Sequence, residues 1–105
     1  MSTKTIYEWV WEECDEFDDV LDLDHRDSLA EAPKHEMRMG TGLAGYDLCL
    51  QKNIYDTETD DCITKAYAYV DPLTHELEDE FTEGGTRNAG RVPKRFHEEL
   101  RRWLA

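Results

Sequence analysis

Carboxylates are the side chains in this chain with the greatest scope for chemistry. Glu8, Glu12, Glu13, Asp15, Glu16, Asp18, Asp19, Asp22, Asp24 and Asp27 crowd its first quarter. Asp56, Glu58, Asp60 and Asp61 form a second group. Paired carboxylates serve acid–base catalysis, but pairs are so frequent here that no pair stands out. Calcium chemistry meets a sharper test. Asp56-x-Glu58-x-Asp60 opens like a calcium loop, which requires Gly at its sixth position and Glu at its twelfth. Those positions hold Asp61 and Tyr67, so no metal site is expected.

A third use of carboxylates is electrostatic imitation. Strand residues two apart share a face and lie roughly 6.5–7 Å apart. A carboxylate ladder at that spacing resembles a phosphate backbone. It would occupy a nucleic-acid-binding cleft and be drawn there by Lys and Arg, with an attraction that falls as salt rises. The residues expected to carry such a contact are Glu12, Glu13, Asp15, Glu16, Asp18, Asp19, Asp22 and Asp24, with Asp56, Glu58, Asp60 and Asp61. The competing use is solvation, because charges also protect sheet edges.

Other catalytic signatures fail on context. Gly40-x-Gly42-x-x-Gly45 matches the dinucleotide spacing by letter, but it precedes a strand instead of a helix. His25, His35, His75 and His97 are scattered without ligand spacing. Cys14, Cys49 and Cys62 are odd in number and lack the C-x-x-C pattern, which argues against a disulfide framework or a structural zinc site. We therefore expect no enzyme and no cofactor.

The charge balance says more about partners. The 105 residues hold 25 Asp+Glu and 12 Lys+Arg, a net charge of −13. Residues 91–105 carry five basic and two acidic side chains, a net +3, which leaves −16 on residues 1–90. So acidic a body repels nucleic acid and favours basic surfaces. The basic, aromatic C-terminal segment could touch nucleic acid, but neutralising the protein's own acidic face is the better use of its cations. The opening residues lack an apolar signal region, and no apolar run approaches membrane-spanning length. The expectation is a cytoplasmic protein without membrane contact.

The elements that must hold these groups follow from periodicity. At 39% apolar and 10% aromatic residues, the chain is too rich in core formers for a disordered acidic tail. One domain over 1–105 is expected. Residues 3–14 alternate, with Tyr7, Trp9 and Trp11 on one face as core. Residues 15–19 read as a turn. Residues 20–25 read as a strand with Leu21 and Leu23 inward and Asp22 and Asp24 outward, completing a hairpin. Asp27 or Ser28 caps a short helix over 29–32, with Ser28 and Glu31 at capping-box spacing. Pro33 ends that helix or restarts it toward Met39.

Residues 46–55 form a third strand, with Tyr46, Leu48, Leu50 and Ile54 on one face. Residues 62–70 form a fourth, apolar on both faces as a central strand would be. Residues 71–90 are acidic and turn-rich, and read as irregular and mobile. Pro93 opens a helix over 93–104 with an apolar stripe of Phe96, Leu100, Trp103 and Leu104. The expected fold class is α+β: a four-stranded antiparallel sheet in ββαββα order with helices packed on one face.

In size and charge the chain looks like the short acidic accessory proteins of bacteriophages and mobile elements, although no motif carries that likeness. The function expected is non-enzymatic inhibition of a basic, nucleic-acid-binding host protein: a nuclease, a restriction or CRISPR effector, or a transcription factor. The alternative is a small homodimeric structural or regulatory module whose acidity serves solubility.

Overall fold

The computed structural model describes residues 2–31, 37–86 and 89–105. Four strands form one antiparallel sheet: β1 (Thr3–Cys14), β2 (Val20–Arg26), β3 (Gly45–Asp56) and β4 (Cys62–Tyr69). Their order is β2-β1-β3-β4. Among the described residues a single α-helix follows, α1 (Lys94–Leu104).

The expected ββαββα order is therefore wrong in its first helix. Only one 3-10 turn, Leu29–Glu31, stands there. Ser28 Oγ accepts from the nearby Ala30 N–H at 3.2 Å, a local turn. The Leu29 N–H is capped from far away, by Glu99 of α1 at 2.9 Å. A turn tied to another element in this way needs no helix of its own. The restart at Pro33 falls outside the described residues as far as 36. Met37 makes a parallel bridge to Tyr46, so a helix does not reach Met39. The picture of helices packed on one face gives way to a single helix on the sheet.

That helix meets the aromatic face of β1. Trp9 and Trp11 are fully buried and Tyr7 packs beside them. Phe96 lies edge-on to Trp9 at 6.0 Å between ring centres, and Trp103 is tilted against Trp11 at 5.2 Å. Leu48 and Leu50 of β3 and Ala66 and Ala68 of β4 complete this face. The small alanines leave room for what covers them.

The cover comes from residues 71–92. The described residues of this stretch form no regular element, yet Leu77, Phe81 and Val92 all enter the core. Thr82 and Tyr67 exchange both backbone hydrogen bonds, at 2.8 and 3.0 Å. This pairing closes the outer edge of β4, although Ile63 and Tyr69 of that strand stay exposed. β4 is not a central strand, since β1 and β3 hold the centre. It ends the sheet beside an irregular strip.

A second correction concerns β2. Its register places Leu23 opposite Glu12, and Asp24 opposite Trp11. Leu23 therefore faces away from the tryptophans, Leu21 falls at a register shift without a partner of its own, and both are exposed. Asp22 and Asp24 take the tryptophan side, where Asp24 accepts from Arg26 Nε at 3.0 Å. Cys14 and Cys49 are buried while Cys62 is exposed.

Candidate functional site

β1 and β3 pair along their whole length, from Thr3↔Asp56 to Cys14↔Gly45. The 15–19 turn thus lies at one end of the sheet and the 57–60 turn at the other. Twelve strand residues separate them by roughly 36 Å, in a molecule whose longest dimension is 43 Å. The two carboxylate groups do not form one surface. The site divides into a hairpin end and a remote turn.

At the remote turn, Asp56 is occupied with its own loop: Oδ1 accepts from the Glu58 N–H at 2.8 Å. Asp60 has φ +59°, a left-handed conformation that Asp tolerates. Glu58, Asp60 and Asp61 are exposed.

At the hairpin end, most carboxylates are held by short-range partners. Asp15 Oδ1 accepts from the N–H groups of Phe17 and Asp19, at 2.9 and 3.0 Å. Glu13 accepts from the Tyr46 hydroxyl at 3.0 Å. Asp22 accepts from the Leu23 N–H at 2.9 Å but remains exposed. Glu16 and Asp19 are exposed at the tip.

Two residues that organise this end escaped the sequence reading: Arg38 and Asp47. Arg38 is buried and grips Asp47 in a bidentate pair, Nε to Oδ1 at 2.9 Å and Nη2 to Oδ2 at 2.7 Å. Its Nη1 reaches Asp18, which also accepts from the Gly42 N–H at 2.9 Å. These contacts hold the Asp18 carboxyl below its ordinary range; the Gly42 bond contributes most, then the guanidinium. Gly45 makes room for the clamp. It has φ +143°, and a Cβ there would come within 2.7 Å of Arg38 Cβ. No motif announces this network, because Asp47 meets Glu12 only once the β1–β3 register is known.

Glu12, Cys14 and Asp47 bring their ligand atoms within 4.8 Å of one another. A metal would need Cys14 as thiolate and Asp47 available. Burial pushes the Cys14 thiol up, and Arg38 already holds both Asp47 oxygens. The donor set fits an ion-pair network better than a metal centre. Burial foremost, and beyond it Glu12 and Asp47, likewise push up the Cys49 thiol. That disfavours a thiolate nucleophile.

Glu12 is half-buried, and its carboxyl is raised by burial first and by Asp47 next, with Arg38 opposing. The ionised form therefore weakens the fold at neutral pH. That penalty fades as pH falls through the raised value toward 4.5, the ordinary value. Glu12→Gln is expected to be more stable than the parent at pH 7 and equal to it below about pH 4.5. Urea unfolding at the two pH values checks this. A variant less stable at pH 7 would contradict it.

A concavity lies between β1, the 3-10 turn and α1, with a volume of about 790 Å³. Tyr7, Phe96 and Trp103 line it together with Arg95 and Arg102, while Asp27 and Glu99 balance the two cations. The expected neutralisation of the acidic face by the C-terminal helix is not what the fold does. Among the described residues, Lys94, Arg95, Arg101 and Arg102 form no ion pair; Arg95 instead lies over the Tyr7 ring at 5.6 Å. No described helix is long and apolar enough to cross a membrane. No family model, no curated protein and no solved structure matches the chain.

Proposed function

We propose that this is a cytoplasmic, non-enzymatic binding protein that blocks a basic, nucleic-acid-binding protein with the carboxylates of its hairpin end. The observation carrying this reading is the company those carboxylates keep. Glu13, Asp15, Glu16, Asp18, Asp19, Asp22 and Asp47 gather at one end of the sheet, and Arg38 is the cation bound among them. Arg38 is buried behind them, so it orders the surface more than it screens it. A pre-ordered acidic surface limits the entropy lost when a basic cleft closes on it. Attraction between opposite charges then speeds encounter and discriminates against acidic partners.

Of the twelve expected contact residues, those left exposed and unpaired at the hairpin end carry the proposal. Asp15, Asp18 and Asp24 are occupied by internal bonds. Glu16, Asp19 and Asp22 are exposed at the hairpin end and, unlike Asp18, pair with no cation among the described residues, and we take them as the contact. The test is a tagged pull-down from host lysate at low and high salt, with DNA as competitor. A recovered nucleic-acid-binding protein should be displaced by DNA. Reversing Glu16, Asp19 and Asp22 together to Lys should weaken its binding about 10- to 100-fold. The same reversal at Glu58, Asp60 and Asp61 should have a much smaller effect. Equal losses from the two triple variants would refute the assignment to the hairpin end.

A further inference from the structure

β1 is paired along its whole length on one side and along only part of it on the other. β3 covers Thr3–Cys14, whereas the ladder with β2 begins at Trp9↔Arg26. Beyond Arg26 the chain leaves the ladder for the 3-10 turn at Leu29–Glu31. The register fixes where the polar groups of the uncovered half point. Ser2 accepts from the Thr57 N–H at 3.1 Å, and bonded pairs alternate along an antiparallel ladder. The even-numbered residues of β1 therefore bond to β3. The N–H and C=O groups of Thr3, Thr5 and Tyr7 point the other way. Among the described residues no backbone group meets them there. Such an edge is a template for one more strand.

The concavity described above runs beside this edge. Thr5 and Tyr7 line one side of it, and Phe96 and Trp103 of α1 line the other. Arg95 and Arg102 also line the helix side. Both are exposed, and neither forms an ion pair among the described residues. Asp27 and Glu99 offset them in number but bond neither, and Glu99 is taken by the Leu29 N–H at 2.9 Å. On a chain of −13, two unpaired guanidiniums beside an open edge attract carboxylates that the rest of the surface repels. Strand-adding peptide sites combine the same parts: ladder bonds give affinity, and side-chain contacts in an adjoining groove give specificity. A second copy is the poorer occupant. Pairing this edge with itself about a two-fold normal to the sheet would leave both helices on one face, arginine side to arginine side. We propose that this groove takes an extended segment of a partner chain bearing Asp or Glu side chains, added as a strand to the open half of β1.

The probe is an acetylated and amidated peptide, Thr-Glu-Thr-Leu-Thr-Leu-Thr-Glu, whose alternation puts glutamate and leucine on one face. Its binding to the full chain is followed by amide hydrogen exchange, read residue by residue by NMR. At saturating peptide, exchange at Thr5 and Tyr7 should slow at least about tenfold. Ile6, already bonded to Asn53 of β3, should not change. The same peptide with lysine in place of glutamate should bind at least about tenfold more weakly. Arg95→Glu with Arg102→Glu should reverse that preference. Both positions are exposed, and circular dichroism verifies folding. Reversing Glu16, Asp19 and Asp22 to Lys should change peptide affinity less than about twofold at physiological salt, where distant charges are screened. This site and the hairpin end therefore fail separately. No binding at millimolar peptide, unaltered Thr5 and Tyr7 exchange in the bound state, or an unreversed charge preference would each overturn the proposal. So would Thr5 and Tyr7 amides that slow with protein concentration alone, which would give the edge to a second copy.

Discussion

Phe81→Ala is expected to lower the unfolding free energy by about 3–5 kcal/mol, the range for truncating a buried aromatic. A domain of this size has only about 5–15 kcal/mol in all, so the variant should be partly unfolded at 37 °C. Phe81 belongs to the acidic, turn-rich stretch whose composition suggests mobility, yet it is fully buried. Its ring stacks on Tyr7 at 6.0 Å between centres, and Lys52 Nζ lies 5.3 Å over it. Its backbone N–H donates to Gly90 at 2.9 Å, and Lys52 donates to the Ala89 carbonyl at 2.9 Å. Truncation would open a cavity where β1, β3 and the 71–92 strip meet, so the strip would lose its anchor. Phe17→Ala is the matched control. Phe17 is 75% exposed at the hairpin tip, and its loss should change stability by less than about 0.5 kcal/mol. Urea unfolding of both variants measures the contrast. Similar midpoints would mean that the 71–92 strip is not part of the core.

These two phenylalanines also mark where the sequence stops being readable. Both sit among acidic turn residues, and nothing local distinguishes the buried one. What could be read was periodic. The alternation of Tyr7, Trp9 and Trp11 gives β1 its range and its core face, and the stripe of Phe96, Leu100 and Trp103 gives α1 its buried side. Alternation divides a strand into two faces, but it cannot say which face meets the helix. β2 has an equally clean pattern, yet its leucines are the exposed residues, because pairing with β1 decides the matter. Leu23 must follow Glu12, and Asp24 must follow Trp11. The candidate site divides likewise. Its carboxylates were visible as composition. Their separation to opposite ends of the sheet required the β1–β3 register. Arg38, isolated in sequence from every acid it binds, required the tertiary fold.

Arg38 supports the second large prediction. Its side chain is 8% exposed, while Asp47 and Asp18 are 22% and 46% exposed. Arg38→Met keeps the aliphatic bulk and removes the charge. Asp47 then loses its bidentate partner within reach of Glu12, and Asp18 loses one of its two links to the 38–45 loop, keeping the Gly42 N–H. Removing one partner of a fully buried pair costs roughly 3–5 kcal/mol, and the partial exposure here reduces that to about 2–3 kcal/mol. Arg38→Lys should recover only part of the loss, because an ammonium cannot match both Asp47 oxygens in one plane. The sign of the pH response follows from Asp18. Its carboxyl is lowered in the fold, so its stabilising contribution is present at neutral pH and is lost as pH falls below its ordinary value of 3.8. In Arg38→Met the part of that dependence due to the guanidinium should vanish, leaving the larger part due to the Gly42 N–H. Unfolding free energies from pH 7 down to pH 3 would measure both effects. If Arg38→Met matched the parent at pH 7, Arg38 would be ornamental, and the hairpin end would owe its order to the Asp15 turn alone. If it lost stability as expected while Arg38→Lys recovered part, the acidic end would be a surface held in shape by one buried guanidinium. Partner binding should then weaken in Arg38→Met even though a cation has been removed from an acidic surface. Simple charge counting predicts the opposite, so the sign of that change separates shape from net charge.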